Sequence, residues 1–292
     1  MPDSMTGRGG EDRTGHAIVI GSGFGGLAAA VRLAARGWRV TVLEKLDGPG
    51  GRAYVFRQDG FTFDGGPTII TAPYILEELW ALCGQRMADH VDLRRVDPFY
   101  DIRFDDGTVF RAHGSIEAMR AEVARISPDD VPGFDRYIRE SEKIYEVAFA
   151  KLADQPFDRF GTMLAEAPDM IRLGGHFTVH RKVSRFFKDP KLRTAFSFHP
   201  LLIGGNPLTT TAYYCLIAHL ERLHGVHYAM GGTGAVASAL VRLAESQSAR
   251  FRYETEVTRI TTEGRRVTGV TLASGEHIPA DIVVSNADVA WT

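Results

Sequence analysis

A chain of 292 residues with 44% hydrophobic side chains holds enough apolar surface for one large or two ordinary globular domains. Its 34 basic and 36 acidic side chains leave a net charge of -2, so no global charge draws it to nucleic acid or another polyanion. Cys83 and Cys215 are too few for a disulfide framework or a tetrahedral zinc site, which suits a reducing compartment and makes the cytoplasm the expected location.

Residues 1–15 mix glycine and charge without an apolar period and read as a flexible tail. His16-Ala-Ile-Val-Ile-Gly21 is a short continuous apolar run, the signature of a parallel strand covered on both faces. Gly21-Ser22-Gly23-Phe24-Gly25-Gly26 follows at once, and Leu27 to Arg36 carries apolar residues at helical spacing up to a stop at Gly37. Trp38 to Leu43 is a second strand ending in Glu44. Strand, glycine turn, helix, strand and acid together form a dinucleotide fingerprint. Gly21 permits the tight turn, Gly23 lets the backbone approach a pyrophosphate, and Gly26 lets helix and strand pack closely, while the helix start offers free N–H groups and a positive dipole end. Glu44 stands where an adenosine ribose would donate its hydroxyl protons. Gly50-Gly51-Arg52 and Phe61-Thr62-Phe63-Asp64-Gly65-Gly66-Pro67 come next, giving a guanidinium and open backbone for a second approach to a dinucleotide or a flavin edge.

Further along, Asp101–Phe104 and Thr108–Arg111 flank Asp105-Asp106-Gly107, a hairpin signal. The periods over Ile116–Ile126 and Pro132–Leu152 predict helices. Between Ile171 and Ile203 lie Arg172, Arg181, Lys182, Arg185, Lys188, Lys191 and Arg193 against the single acid Asp189, interleaved with Phe177, Phe186, Phe187, Phe196 and Phe198. That composition suits an interfacial membrane anchor, with a solvated basic helix packed by its Phe face as the alternative. His176 and His180 have i, i+4 spacing but neither an accompanying Glu nor a third ligand, so no metal is expected. Gly231-Gly232-Thr233-Gly234 reads as a tight turn opening the helix Ala235–Ala244. Phe251–Ile260, Val267–Leu272 and His277–Val284 predict a meander, its end returning through Asp281–Ser285 to the nucleotide sheet. No segment is long and apolar enough to span a bilayer.

The segments VIGSGFGGLAAAVRL, DGPGGRAYVF, GFTFDGGPTIIT, RVDPFYDIRF, FSFHPLLIGGNPLTT, GGTGAVASALVRL and DIVVSNADVAWT, in this order, resemble those of the bacterial-type phytoene desaturases, FAD-dependent members of the carotenoid and retinoid oxidoreductases. The resemblance implies an α/β fold: a Rossmann-like FAD-binding domain of the amine-oxidase and GDP-dissociation-inhibitor type, with a discontinuous mixed α+β domain facing substrate and membrane. The boundaries it implies are a tail over 1–15, FAD-binding parts over 16–95 and 228–292, and the substrate domain over 96–227. FAD contacts would fall to Gly21, Gly23, Phe24, Gly25, Gly26, Glu44, Lys45, Gly50, Gly51, Arg52, Asp64, Gly65, Gly66, Pro67 and Val257, the last near the adenine. The substrate would be a carotenoid hydrocarbon, the electron acceptor a quinone or oxygen, and the membrane surface would be met through 171–203. A tunnel lined by Phe196, Phe198, Leu201, Leu202, Ile203, Tyr213, Tyr214 and Leu216 would take the hydrocarbon, with ordinary core as the alternative for these residues. No catalytic acid or base stands out. Other readings are a related desaturase, saturase or isomerase, a flavin amine oxidase, or a lipid-binding protein on the same fold. Members of the resembled family run on past Trp291-Thr292, so the chain is expected to be the N-terminal portion of a longer protein.

Overall fold

The computed structural model describes residues 15–152, 161, 166–168, 171–290 and 292, so all of the expected tail but Gly15 lies outside the described residues. The chain forms two compact units: one takes the chain up to Ile69, Tyr74–Arg94 and Ala229 onward, the other Ile70–Pro73 and Arg95–Tyr228.

The elements of the first unit that frame the site are β1 (His16–Ile20), α1 (Phe24–Ala34), β2 (Arg39–Leu43), the hairpin strands β3 (Val55–Gln58) and β4 (Phe61–Asp64), the helix α2 (Thr233–Ser246), and then β5 (Arg250–Arg252), β6 (Val257–Glu263), β7 (Arg266–Leu272), β8 (His277–Pro279) and β9 (Ile282–Ser285). A parallel sheet has the order β9-β1-β2-β5. β1 is central, Ile18 pairing with Val283 on one side and Thr41 on the other, and its Ala17, Ile18 and Val19 are wholly buried. A strand paired on both edges and covered on both faces has no polar side to show, which is why its sequence does not alternate. The antiparallel meander β6-β7-β8 packs on this sheet through Val270, Leu272 and Ala280 against Ile18 and Leu43.

Two of the expected strands divide. The run Phe251–Ile260 gives its start to β5, beside β2 in the parallel sheet, and its end to β6; between them Glu254 takes φ +50 and turns the chain. The run His277–Val284 likewise splits, into β8 of the meander and β9 beside β1: the Ala280 N–H still donates to the Thr268 carbonyl of the meander at 3.1 Å, and the Asp281 N–H already donates to the His16 carbonyl at 2.9 Å.

The second unit holds the hairpin Tyr100–Arg103 and Val109–Ala112, its turn closed by Gly107 at φ +82. The helix Ile116–Ile126 is capped by Ser115, whose hydroxyl accepts from the Ala118 N–H at 3.0 Å. The helix Val131–Tyr145 ends in a wider turn over Glu146–Lys151. It packs Phe134 and Tyr137 onto Phe187 and Phe196, whose rings stack at 4.5 Å and 5°. Each of these four rings is almost fully buried, contributing about 1.5–3 kcal/mol by area.

Candidate functional site

The site is built in the first unit from glycine turns that meet backbone to backbone. Gly21 takes φ +89, and a Cβ on Gly26 would lie 2.0 Å from the Gly21 carbonyl oxygen, so helix and turn close only on glycine. Gly23 sits at the start of α1 with no side-chain cap, and Phe24 opens the helix half-buried. The first N–H groups of α1 therefore have no side-chain acceptor from its cap, and the positive end of its dipole lies at the turn.

Glu44, at the end of β2, is 5% exposed. Its Oε2 accepts from the Ser22 N–H at 2.7 Å and the Ser22 hydroxyl at 2.8 Å, and its Oε1 accepts from the Leu46 N–H at 3.0 Å. Three of roughly four acceptor positions are thus used within the turn, leaving one for a ligand hydroxyl. The carboxylate that sequence assigns to a ribose is also the brace of the fingerprint itself. Lys45 beside it is exposed.

Gly50 donates its N–H to the Ser22 carbonyl at 2.9 Å and forms a parallel bridge with Gly23, and a Cβ on Gly51 would come 3.0 Å from the Gly23 Cα. Two turns separated in sequence become one surface of main chain. Arg52 extends from it exposed, and its carbonyl oxygen would meet a Cβ on Gly66 at 2.0 Å, which seats the Asp64-Gly65-Gly66-Pro67 loop on the same backbone. A fourth segment joins where sequence gives no cue: a Cβ on Gly232 would meet the Asp64 carboxylate at 2.3 Å, and the Thr233 hydroxyl donates to the Pro67 carbonyl at 2.9 Å. The turn before α2 is thus the partner of the Asp64 loop. Val257, the first residue of β6, packs against the cluster of Ile18, Leu43 and Leu272, and two residues before it the Thr255 N–H donates to the Glu44 carbonyl at 2.8 Å.

These features fit a dinucleotide cofactor: an uncapped helix start, main-chain N–H groups made accessible by glycine, and a fixed carboxylate with an acceptor position to spare.

The second unit corrects several expectations. Phe196 is core, and the cavity it lines with Phe110, Phe134, His199, Glu221 and Arg222 measures about 30 Å³, room for a water or two and not for a hydrocarbon. Leu201, Leu202 and Ile203 stand 59%, 47% and 58% exposed, while Phe198, Tyr213, Tyr214 and Leu216 are half-buried. Lys182 does not face lipid: its ammonium is buried, donating to Glu140 Oε1 and to the Leu173 carbonyl, each at 2.6 Å. Phe187 is wholly enclosed by Tyr137 and Phe196. His176 precedes the short helix Val179–Val183 and so shares no helix face with His180, and no group of three candidate metal ligands occurs among the described residues.

A polar cluster in this unit was not legible in sequence. His199 and Glu221 are each 3% exposed, with Nε2 3.2 Å from Oε2, and the Tyr100 hydroxyl lies 3.2 Å from the same imidazole nitrogen. Burial, reinforced by the neighbouring Glu221 carboxylate, holds the Tyr100 phenol well above its ordinary range.

The family model for flavin containing amine oxidoreductase matches residues 24–290. The neurosporene-forming phytoene desaturase of Cereibacter sphaeroides is 46% identical over 277 residues, which are 95% of this chain and 54% of that protein. The lycopene-forming phytoene desaturase of a Paracoccus species is 46% identical over 273 residues, 94% of this chain and 54% of that protein. The chain therefore spans about half the length of the curated relatives it matches. Among solved structures, putrescine oxidase bound to putrescine superposes with a TM-score of 0.63 at 18% identity, over 92% of this chain and 57% of that one.

Proposed function

Because the chain belongs to the flavin containing amine oxidoreductase family, whose cofactor here is FAD, we propose that the protein is an FAD-dependent carotenoid desaturase acting on phytoene or a closely related C40 polyene. The observation that carries this reading is the 46% identity to phytoene desaturases across nearly the whole chain. Bound FAD would supply a hydride acceptor, and the neighbouring carbon of the polyene would lose a proton to water or a base as the double bond forms. Gly21, whose own N–H is held by the Leu43 carbonyl at 2.8 Å, would bring the backbone round beneath the FAD diphosphate, and Gly23, Phe24, Gly25 and Gly26 would present main-chain N–H groups to it. Glu44 would hold the ribose through its remaining acceptor position, with Lys45 beside it. Gly50, Gly51 and Arg52, with Asp64, Gly65, Gly66 and Pro67, would extend the cradle toward the flavin, and Val257 would pack at the adenine. A quinone or oxygen would reoxidise the cofactor.

A C40 hydrocarbon resides in a bilayer, so peripheral contact with the inner face of the membrane is part of the proposal. No helix among the described residues is long and apolar enough to cross a membrane. Support for surface contact comes from the exposed apolar side chains Leu201, Leu202, Ile203 and Leu208 and the exposed cations Arg172, Arg181, Arg185 and Lys188. Near an anionic surface each cation would contribute about 1 kcal/mol, weakened by salt, while apolar insertion would persist at high salt. Sedimentation with anionic liposomes separates the two: R181Q/R185Q/K188Q should weaken low-salt binding, and L201S/L202S/I203S the salt-resistant part.

The activity itself is tested by expressing the complete gene in a phytoene-accumulating host and resolving the carotenoids by chromatography. Conversion of phytoene to a product with more conjugated double bonds is expected. Unconverted phytoene beside flavin-loaded protein would overturn the proposal.

A further inference from the structure

Asn286 stands one residue beyond β9, its backbone N–H donating to the Ile20 carbonyl at 2.9 Å, so that the parallel pairing continues to the point where the glycine turn begins. Its side chain lies on that turn. A Cβ on Gly23 would come 3.0 Å from Asn286 Nδ2, one on Gly25 would come 2.5 Å from its Oδ1, and one on Gly26 would come 3.3 Å from its Cβ. Gly25 is exposed, and its φ is not in the left-handed region, so neither burial nor backbone conformation demands glycine there. What a Cβ there would displace is the Asn286 carboxamide.

Although it is set among main-chain groups, the Asn286 carboxamide makes no hydrogen bond to any described residue, and the residue is exposed. It brings two N–H donors beside the uncapped start of α1, at the carboxyl ends of parallel strands where ligands of such sheets bind. A neutral donor beside a positive helix end suits an anion with several acceptor oxygens.

Resting on the FAD reading above, we propose that Asn286 is a positioning residue for the cofactor, its Nδ2 donating to the diphosphate of bound FAD. Gly25 is glycine so that this carboxamide has room. The diphosphate is then held from two sides, by the main chain of the fingerprint and by a side chain from the far end of the sequence.

The test uses the full-length apoprotein and measures affinity for FAD, ADP and adenosine, together with the melting temperature without ligand. Asn286→Ala should weaken FAD and ADP by the same factor, about tenfold, as expected for a hydrogen bond to a charged group, and leave adenosine unchanged. Asn286→Asp should weaken FAD and ADP further, because a carboxylate repels phosphate, while the ligand-free melting temperature stays level or rises, because an acid suits the start of α1. Gly25→Ala should weaken FAD in the native background and add little in the Asn286→Ala background. Unchanged FAD affinity in both Asn286 variants, an equal loss for adenosine, or a fall in ligand-free melting temperature would overturn the assignment. Wild-type protein that takes up no FAD would overturn the cofactor reading itself, a result visible before any variant is made.

Discussion

In the first unit the glycine turns of the site meet through main chain, and in the second the interior is held by rings and by paired charges. Gly26 on Gly21, Gly51 on Gly23 and Gly66 on Arg52 bring main chain against main chain. Phe187 on Phe196, Lys182 on Glu140 and His199 on Glu221 bring side chains together instead. Backbone contact through glycine leaves N–H groups open to a ligand and adds no bulk in front of them. Ring packing fills its interior, as the cavity of about 30 Å³ shows. Gly133 is the informative exception. It lies in the second unit, where a Cβ would come 1.9 Å from the Phe186 carbonyl oxygen, so its absent side chain serves packing alone.

The comparison predicts that side-chain truncation damages the second unit most. Phe187→Ala removes a ring that is 1% exposed and should cost about 4 kcal/mol in urea unfolding. Loss of membrane binding without loss of stability would return that ring to the lipid-facing reading. Glu140→Ala leaves the Lys182 ammonium buried with only the Leu173 carbonyl, and should cost about 3 kcal/mol by the same measurement.

The next effect depends on pH. Burial holds the Tyr137 phenol well above its ordinary value near 10. The folded pKa is raised, so this group's contribution to stability is whole below pH 10 and is lost above it, as the unfolded chain releases a proton that the folded chain keeps. Stability should fall with an added slope of up to about 1.4 kcal/mol per pH unit, and Tyr137→Phe should flatten that alkaline limb. An identical slope in the variant would contradict the burial account. The smallest effect is kinetic: burial pushes the Cys215 thiol up to about 12, so iodoacetamide at pH 8 should alkylate the half-buried Cys83 well before Cys215.

The part of the site that was legible in sequence is the part that is local. β1, the glycine turn, α1, β2 and Glu44 follow one another directly, and each imposes a residue type at a short spacing. The pairing of Gly232 with Asp64 and of Asn286 with Gly25 joins segments far apart in sequence, and no spacing rule connects them. The runs Phe251–Ile260 and His277–Val284 had the right propensity, but propensity does not say that one run serves two sheets. Composition failed at Lys182 and Phe187 for a physical reason. Cations interleaved with rings satisfy an interfacial helix and a packed, ion-paired one equally well, and only the position of Glu140 and Tyr137 distinguishes them.

The most direct measurement sets Gly23→Ala beside Gly133→Ala in the full-length protein, recording FAD affinity by fluorescence titration and ligand-free melting temperature for each. Gly23 has an extended backbone that any residue adopts, and a Cβ there would find only Asn286 Nδ2 closer than 3.4 Å, so its variant should melt within a degree or two of wild type, by about 0.5 kcal/mol, yet bind FAD at least about tenfold more weakly. Gly133→Ala should do the reverse, losing about 3 kcal/mol of stability while the folded protein keeps its FAD affinity. Native FAD affinity in Gly23→Ala, with the loss appearing in Gly133→Ala instead, would contradict the assignment of the glycine turn as the cofactor site.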